Sequence, residues 1–379
     1  MADRLAQITV GKPFVVMHPR LGRLVVEPTI DPELQARANQ LLQAGKDPGA
    51  ALVAVEATTG RVLVLAGMRR GRGNPQMALS ADAPAASLFK VVTAAAALEE
   101  TKLTPASLMQ FVGRPHTLYE FQVKELKRRK ANKLSLEKCF AQSNNPVFAR
   151  LGIYDLGSDV LAQYAKALGF GRPLRAEVPT SASRLVRPVD KFSLGEMACG
   201  YNRYTTMSPL HAAVMVASFV GSGHLPEPFL ISRVTNAAGQ VLYRGGPERG
   251  PQVVSPSTRR DMRELFGETV RVGTARRAFS GYRRDKVLKN LEIGGKTGTI
   301  RGQDRKYLFE WFAGYGQDPS TKRVVAVASM AMHDKVRYLN PKRLSRQLIR
   351  EAFRINSLAA DDDYQDFKLE KITVIRPGG

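Results

Sequence analysis

The sequence predicts an α+β protein in which an antiparallel sheet is flanked by helices and carries an inserted helical lobe. Two apolar strand patterns at residues 51–66 form a hairpin, and three further strand patterns follow one another over residues 293–332. Between them, residues 87–222 have a mostly helical pattern. Strands near both ends with helices between them place a cleft between the lobe and the sheet.

The individual elements follow from local patterns. Residues 1–28 are short apolar runs broken by Gly and Pro, which indicates a strand pair or an arm. Residues 32–44 have the spacing of an amphipathic helix with Asp31 as its N-cap. The later predicted elements are helices at 160–168, 210–220, 260–270 and 341–353, and strands at 293–300, 308–316 and 324–332.

We expect three parts along the chain. Residues 1–45 form an N-terminal arm and lead-in helix, residues 46–356 form the main domain, and residues 357–379 form a loosely attached tail. No internal repeat is present in the sequence.

Ser87 and Lys90 are the first candidate functional pair. Residues three apart on a helix share one face, so the amine lies within reach of a hydroxyl that needs a base to become a nucleophile. The apolar run 91–98 predicts a buried helix that starts at or near Ser87, and burial lowers the pKa of a lysine. Alternatively, Ser87 only caps the helix. A second Ser-x-x-Lys copy, at residues 135–138, is interpreted as a helix cap without chemistry.

Two polar motifs follow downstream. Ser143, Asn144 and Asn145 stand at a predicted helix end before Pro146, where a hydroxyl and two amides are able to bind a peptide or the lysine. An ordinary Asn-rich turn is the alternative.

The second motif is the stretch 294–300, predicted to be flexible glycines followed by a strand. Gly298 would allow a ligand backbone to approach, and Lys296 with the hydroxyls of Thr297 and Thr299 would bind a carboxylate. The full P-loop spacing is absent, which argues against phosphate binding by this motif.

In this order, the three motifs resemble those of the penicillin-recognising serine transpeptidases, which share them with class A β-lactamases. Residues 29–35, 51–66, 272–275 and 311–315 are also similar to stretches of penicillin-binding proteins. The family commonly has Pro-Gly before the nucleophile, where this chain has Ala85-Ala86. The resemblance extends from about residue 29 to about residue 356, without a glycosyltransferase module ahead of it. It implies a β-lactamase/transpeptidase-like fold and a transpeptidase domain over residues 46–356.

The resemblance also implies residue roles. Ser87 would attack a D-Ala-D-Ala peptide bond and become an acyl-serine, with Lys90 as base. Ser143 would relay a proton to the leaving amine, and Asn145 would hold the substrate amide and orient Lys90. The residues that would bind the terminal carboxylate and the substrate backbone are Lys296, Thr297, Gly298 and Thr299. The backbone N–H groups of Ser87 and Thr299 would form the oxyanion hole.

The expected activity is therefore a peptidoglycan D,D-transpeptidase that cross-links stem peptides and is acylated by β-lactams. A D,D-carboxypeptidase or β-lactamase of the same fold is one alternative. Glu177 is the candidate carboxylate for such hydrolysis, but a surface or loop-anchoring role fits its surroundings better. A penicillin- or wall-peptide-binding sensor or scaffold without turnover is the other alternative.

Composition excludes several other classes of protein. The chain has 379 residues, 44% of them hydrophobic, which suffices for a substantial core. Cys139 and Cys199 are the only cysteines and exclude a disulfide framework or a cysteine-rich zinc site. The five histidines have no paired spacing, so we expect neither a metal nor another cofactor.

The formal charge of +23 predicts an anionic partner. Peptidoglycan precursors, acidic envelope polymers and anionic lipid head groups all satisfy this expectation. Nucleic acid is not expected, because the basic stretch 124–133 lacks interleaved aromatic residues.

Such an enzyme would work in the cell envelope or periplasm. Residues 1–20 contain no signal-peptide apolar region, and no run approaches the ~20 apolar residues of a membrane helix. We therefore expect the sequence to be an excerpt or to start downstream of the true N-terminus. Another export route or a cytoplasmic protein with a different role are the alternatives.

Overall fold

A computed structural model of the chain describes residues 2–124 and 131–356. The predicted tail 357–379 and most of the basic stretch 124–133 lie outside the described residues. The α-helices are α1 Ala2–Thr9, α2 Pro32–Gln43, α3 Gln76–Leu79, α4 Lys90–Glu100, α5 Glu120–Val123, α6 Leu136–Ala141, α7 Asn145–Arg150, α8 Gly157–Ala167, α9 Lys191–Cys199, α10 Pro209–Val220, α11 Pro256–Arg271 and α12 Pro341–Asn356. The strands are β1 Phe14–His18, β2 Gly22–Pro28, β3 Gly49–Glu56, β4 Val62–Arg69, β5 Arg72–Gly73, β6 Ala83–Pro84, β7 Leu108–Phe111, β8 Asn132–Ser135, β9 Thr206–Met207, β10 His224–Glu227, β11 Ile231–Asn236, β12 Val241–Arg244, β13 Glu248–Gln252, β14 Glu292–Arg301, β15 Leu308–Gln317 and β16 Val324–His333.

A six-stranded antiparallel sheet organises the fold, in the order β14-β15-β16-β3-β4-β5. Alternate residues of its strands enter two different cores. Val53 belongs to the core under the helical lobe, whereas Leu52 belongs to the core beneath α2 and α12. The predicted α+β class, the hairpin at 51–66 and the three strands over 293–332 are confirmed.

The helical lobe packs on the side of the sheet that carries Val53. Its centre is α10, which is buried over its whole length and is capped by Ser208, whose Oγ accepts from the His211 N–H at 3.1 Å. Helix α4 is also buried on nearly all sides, as the apolar run 91–98 predicts. The predicted helices at 32–44, 210–220, 260–270 and 341–353 are all present, with small shifts of their ends.

A second sheet was not predicted. It has four strands in the order β1-β2-β11-β12, so the predicted strand pair in residues 1–28 joins strands from much later in the chain. Strand β11 alternates little between apolar and polar residues and is half-buried throughout. Its sequence pattern therefore did not predict a strand. Helix α1 was missed as well, because eight residues are too few for a clear period.

The glycines at the start of β14 are not flexible, contrary to the prediction. Gly294 and Gly295 are buried strand residues. A Cβ at Gly295 would lie 2.5 Å from Cζ of Phe312, and one at Gly294 would lie 2.8 Å from Cβ of Phe266. These glycines allow α11 and β15 to approach the strand closely. Among the described helices, none combines the length and the apolar character needed to cross a bilayer.

A buried ionic cluster fixes the corner between β16 and α12. His333 Nδ1 lies 2.6 Å from Asp47 Oδ1, and His333 Nε2 lies 3.5 Å from a carboxylate oxygen of Glu310. Asp47 also accepts the Leu339 N–H at 2.7 Å, and Arg337 pairs with Glu310 at 2.7 Å. Burial lowers the pKa of His333, but the carboxylates of Asp47 and Glu310 outweigh it and raise the pKa to about 9.

This cluster makes folding stability depend on pH. The folded pKa of His333 lies above its ordinary value of 6.5, so its contribution is complete below that pH and disappears as the pH rises through 9. We expect the melting temperature of the wild type to fall by several degrees more than that of His333→Gln between pH 6 and pH 10. Parallel melting curves of both proteins by circular dichroism test this, and equal pH slopes would contradict it.

Candidate active site

Ser87 lies in a tight turn that precedes α4. Residues Ala86–Phe89 form a single 3₁₀ turn and the α-helix begins at Lys90, so the predicted helix start at Ser87 is corrected by three residues. The 3₁₀ turn still places residues i and i+3 on one side. Ala86 has a φ of +50°, and the Trp311 Nε1–H donates to the Pro84 carbonyl at 2.9 Å. The nucleophile candidate is therefore presented by a strained and well-anchored turn.

Lys90 connects this turn to two helices of the lobe. Its Nζ is fully buried and donates to Ser87 Oγ at 2.9 Å, to Asn145 Oδ1 at 2.7 Å and to the Cys199 carbonyl at 2.5 Å. Burial lowers the pKa of Lys90 to about 8, as predicted in direction. An amine with this pKa is partly neutral near pH 7 and lies in hydrogen-bond contact with a serine hydroxyl.

Ser143 occupies the corner between α6 and α7 with a φ of +57°. Lys296 Nζ donates to Ser143 Oγ and to the Thr297 carbonyl, each at 2.9 Å. Burial, followed by the charge of Lys90, holds the pKa of Lys296 well below its ordinary value. The second and third motifs thus meet through a hydroxyl and a buried amine.

The two asparagines of the corner have different tasks. Asn144 Oδ1 accepts the Val147 N–H at 3.0 Å and caps α7. Asn145 turns towards Lys90, and its Nδ2 donates to the His116 carbonyl at 3.1 Å. Asn145 therefore orients Lys90, while Asn144 serves the helix.

Strand β14 forms the edge of the sheet beside the Ser87 turn. Thr297 Oγ1 lies 2.6 Å from Thr274 Oγ1, and the Thr299 side chain is exposed. A Cβ at Gly298 would lie 3.2 Å from Cβ of Ala86, so this glycine permits the close approach of strand and turn. All eight candidate residues consequently surround one small region between lobe and sheet.

Four residues that hold this region were not predicted as part of it: His116, Cys199, Thr274 and Trp311. His116 and Cys199 contribute backbone carbonyls. Every residue has such a group, so the sequence could not single these two out. Thr274 lies in the stretch 272–275, whose similarity to the family was the available signal.

The remaining candidates lie outside this arrangement. Ser135 is the N-cap residue of α6, as predicted, although its Oγ donates to a Glu137 carboxylate oxygen at 3.3 Å and accepts no backbone N–H of the helix. Glu177 accepts from the Leu230 N–H and from the Tyr243 hydroxyl, both at 2.8 Å, so the predicted loop-anchoring role is confirmed. Burial raises the pKa of the Cys199 thiol to about 11. The described residues contain no group of side chains suited to a metal ion.

The left-handed backbone of Ala86 makes a testable difference between two buried alanines. Glycine adopts this conformation without strain, so the relief in Ala86→Gly is expected to offset the lost methyl group. The control Ala95→Gly loses a buried methyl from the interior of α4 and should be about 2 kcal/mol less stable than Ala86→Gly. Urea denaturation measures both, and equal losses would contradict the role of strain.

Several known proteins are similar to this chain in sequence. The chain is 27% identical to the peptidoglycan D,D-transpeptidase PbpA of Mycolicibacterium smegmatis, over 86% of this chain and 69% of that protein. It is 29% identical to the stage V sporulation protein D of Bacillus subtilis, over 64% of this chain and 37% of that protein.

Among solved structures, penicillin-binding protein A of Mycobacterium tuberculosis is similar in fold, with a TM-score of 0.69, 24% identity, and coverage of 87% of this chain and 82% of that one. That protein is also known as an acyl-enzyme complex with penicillin G. The family model described as the penicillin binding protein transpeptidase domain matches residues 50–352. The chain therefore belongs to the penicillin-binding protein transpeptidase family.

Proposed function

We propose that the protein is a serine D,D-transpeptidase that cross-links peptidoglycan stem peptides, with residues 46–356 as its catalytic unit. The observation that carries the proposal is the buried Lys90 amine, 2.9 Å from Ser87 Oγ and fixed by two further acceptors. A buried amine of lowered pKa beside a serine hydroxyl is suited to activate that hydroxyl. Membership in the family supports the same reaction.

Acylation begins when neutral Lys90 accepts the hydroxyl proton of Ser87. Ser87 Oγ then bonds the carbonyl carbon of the penultimate D-alanine, and the bond to the terminal D-alanine breaks. The leaving amine takes up a proton through Ser143, whose Oγ contacts Lys296 Nζ at 2.9 Å. The products are an acyl-serine and free D-alanine.

The edge strand β14 holds the substrate in this scheme. Lys296 with the hydroxyls of Thr297 and Thr299 binds the terminal carboxylate, and Gly298 leaves room for the substrate backbone. The backbone N–H groups of Ser87 and Thr299 stabilise the oxyanion, where the loss of one donor typically costs ~10²–10³ in rate. Asn145 binds the substrate amide.

The acyl group then passes to an amine of a neighbouring stem peptide, and Ser87 recovers its proton. A β-lactam enters the same path at acylation and stays bound, as penicillin G does in the Mycobacterium tuberculosis protein. Glu177 is engaged by Leu230 and Tyr243, so it is not available to activate a hydrolytic water. This argues against a β-lactamase of class A type.

We place this reaction in the cell envelope, where the stem peptides are cross-linked. The charge of +23 suits contact with anionic envelope polymers or lipid head groups. No cofactor takes part in the proposed chemistry.

Covalent labelling with a fluorescent penicillin tests the assignment of Ser87. We expect a stable adduct of one penicillin per chain by intact mass. The adduct should fall at least ~100-fold in Ser87→Ala, because among the described residues Ser87 carries the one hydroxyl hydrogen-bonded to Lys90. Ser135→Ala is the matched control and should label normally. Rapid loss of the adduct with consumption of penicillin would indicate a hydrolase. Absence of any adduct on the folded protein would refute the proposal that it is an enzyme.

The pH dependence of labelling tests Lys90 as the base. Because only the neutral amine accepts a proton, the labelling rate should rise about tenfold per pH unit below the Lys90 pKa of about 8 and level off above it. Lys90→Arg should be slow at every pH. A rate that stays constant from pH 6 to pH 9 would contradict this role.

A further inference from the structure

A basic cavity of about 330 Å³ lies at the end of α11, the helix that packs against the edge strand β14. Four arginines line it: Arg271, Arg276, Arg283 and Arg284. The aromatic rings of Phe279 and Tyr282 form part of its wall. None of these residues belongs to the acyl-transfer site described above.

The positive charge around this cavity is poorly balanced. Residues 271–289 contain seven arginines and lysines against one acidic residue, Asp285, which pairs with Arg350 at 2.9 Å. Arg271 pairs with Glu268. In the described part of the chain, neither Arg276 nor Arg284 has a carboxylate within 4.0 Å, and both are exposed. Four guanidinium groups around one cavity repel each other unless an anion lies between them.

The backbone that forms the cavity is anchored by contacts with α12 and β15. Arg346 of α12 donates from Nη1 to the carbonyls of Ala278 and Ser280, at 3.0 and 2.9 Å. Phe279 packs on Phe312 with ring centroids 5.4 Å apart. The backbone between Phe279 and the last arginines of the cavity is therefore anchored, so a ligand does not have to order it.

We infer that this cavity binds a phosphate group, as part of a phosphate ester or a diphosphate. The planar fork of arginine matches phosphate oxygens bidentately, and several arginines suit an anion of more than one charge better than a single carboxylate. The inference makes the proposed contact with anionic envelope components specific, and binding at this cavity is measured without acyl transfer.

The position of the cavity connects it to the acyl-transfer site. Residues 272–275 lie between two of its arginines, Arg271 and Arg276. Within this loop, the Thr274 N–H donates to the Ala141 carbonyl at 3.0 Å, and Thr274 Oγ1 contacts Thr297 Oγ1 at 2.6 Å. A phosphate held by Arg271 and Arg276 therefore fixes both ends of the loop that supports Thr297.

Isothermal titration calorimetry of the full chain with inorganic diphosphate tests the inference. We expect saturable binding and a rise of at least ~10-fold in Kd for Arg276→Gln/Arg284→Gln. The control Arg69→Gln/Arg72→Gln removes the same charge from the opposite edge of the sheet and should stay within about twofold of the wild type. Arg276→Lys/Arg284→Lys keeps the charge and should still bind diphosphate more weakly than the wild type, because the planar guanidinium groups are lost.

Equal weakening by both glutamine pairs, or no saturable binding of wild type to diphosphate, would overturn the site. Flotation with phosphatidylglycerol vesicles, beside phosphatidylcholine vesicles, distinguishes the ligand sources. Vesicle binding that diphosphate displaces supports a lipid phosphate, and diphosphate binding without vesicle binding supports a soluble one. Vesicle binding retained by Arg276→Gln/Arg284→Gln contradicts a lipid ligand in this cavity. Penicillin labelling of Ser87 on the same preparations reports on the transpeptidase proposal separately.

Discussion

The buried amine of Lys90 is the group on which the arrangement of the lobe depends. Its three acceptors come from the Ser87 turn, from the start of α7 and from the end of α9. A buried ammonium without acceptors is very costly, so these three elements are stable only when they converge on the same point. The same convergence holds the Lys90 amine in hydrogen-bond contact with Ser87 Oγ. Folding of the lobe and assembly of the nucleophile are therefore one event.

A second buried amine, that of Lys296, connects the lobe to the sheet. Lys296 comes from β14 but donates to Ser143 of the lobe. Its other contact is a carbonyl of its own strand, and the ring of Phe140 lies 5.5 Å from Nζ. Burial lowers the pKa of both lysines, and the charge of Lys90 lowers the pKa of Lys296 further. The site consequently places beside hydroxyl groups two amines that give up a proton more readily than an ordinary lysine.

The sequence was informative where side chains carry the function and uninformative where the backbone does. Lys90, Ser143 and Lys296 could be named as candidates because their order and spacing match a known chemical set, and the structure brings them together. The carbonyl of Cys199 could not, since any residue has one. The positive φ of Ala86 could not be predicted either, because alanine rarely adopts a left-handed conformation and nothing in the sequence indicates it here. At the level of the fold, alternating strands and long buried helices were predictable, whereas the sheet that joins β2 to β11 depends on contacts distant in sequence.

The loop at residues 272–275 has a consequence for how such a protein can evolve. It touches Ala141, just before the Ser143 corner, and Thr297 on the opposite wall. Any substitution that displaces the loop moves both walls of the cleft together. In the proposed reaction, donor peptides and the drugs that imitate them contact the same walls, so we expect a variant that escapes a drug by displacing this loop to be impaired in wall synthesis. A substitution that reduces drug binding without impairing wall synthesis therefore has to displace one wall of the cleft and not the other.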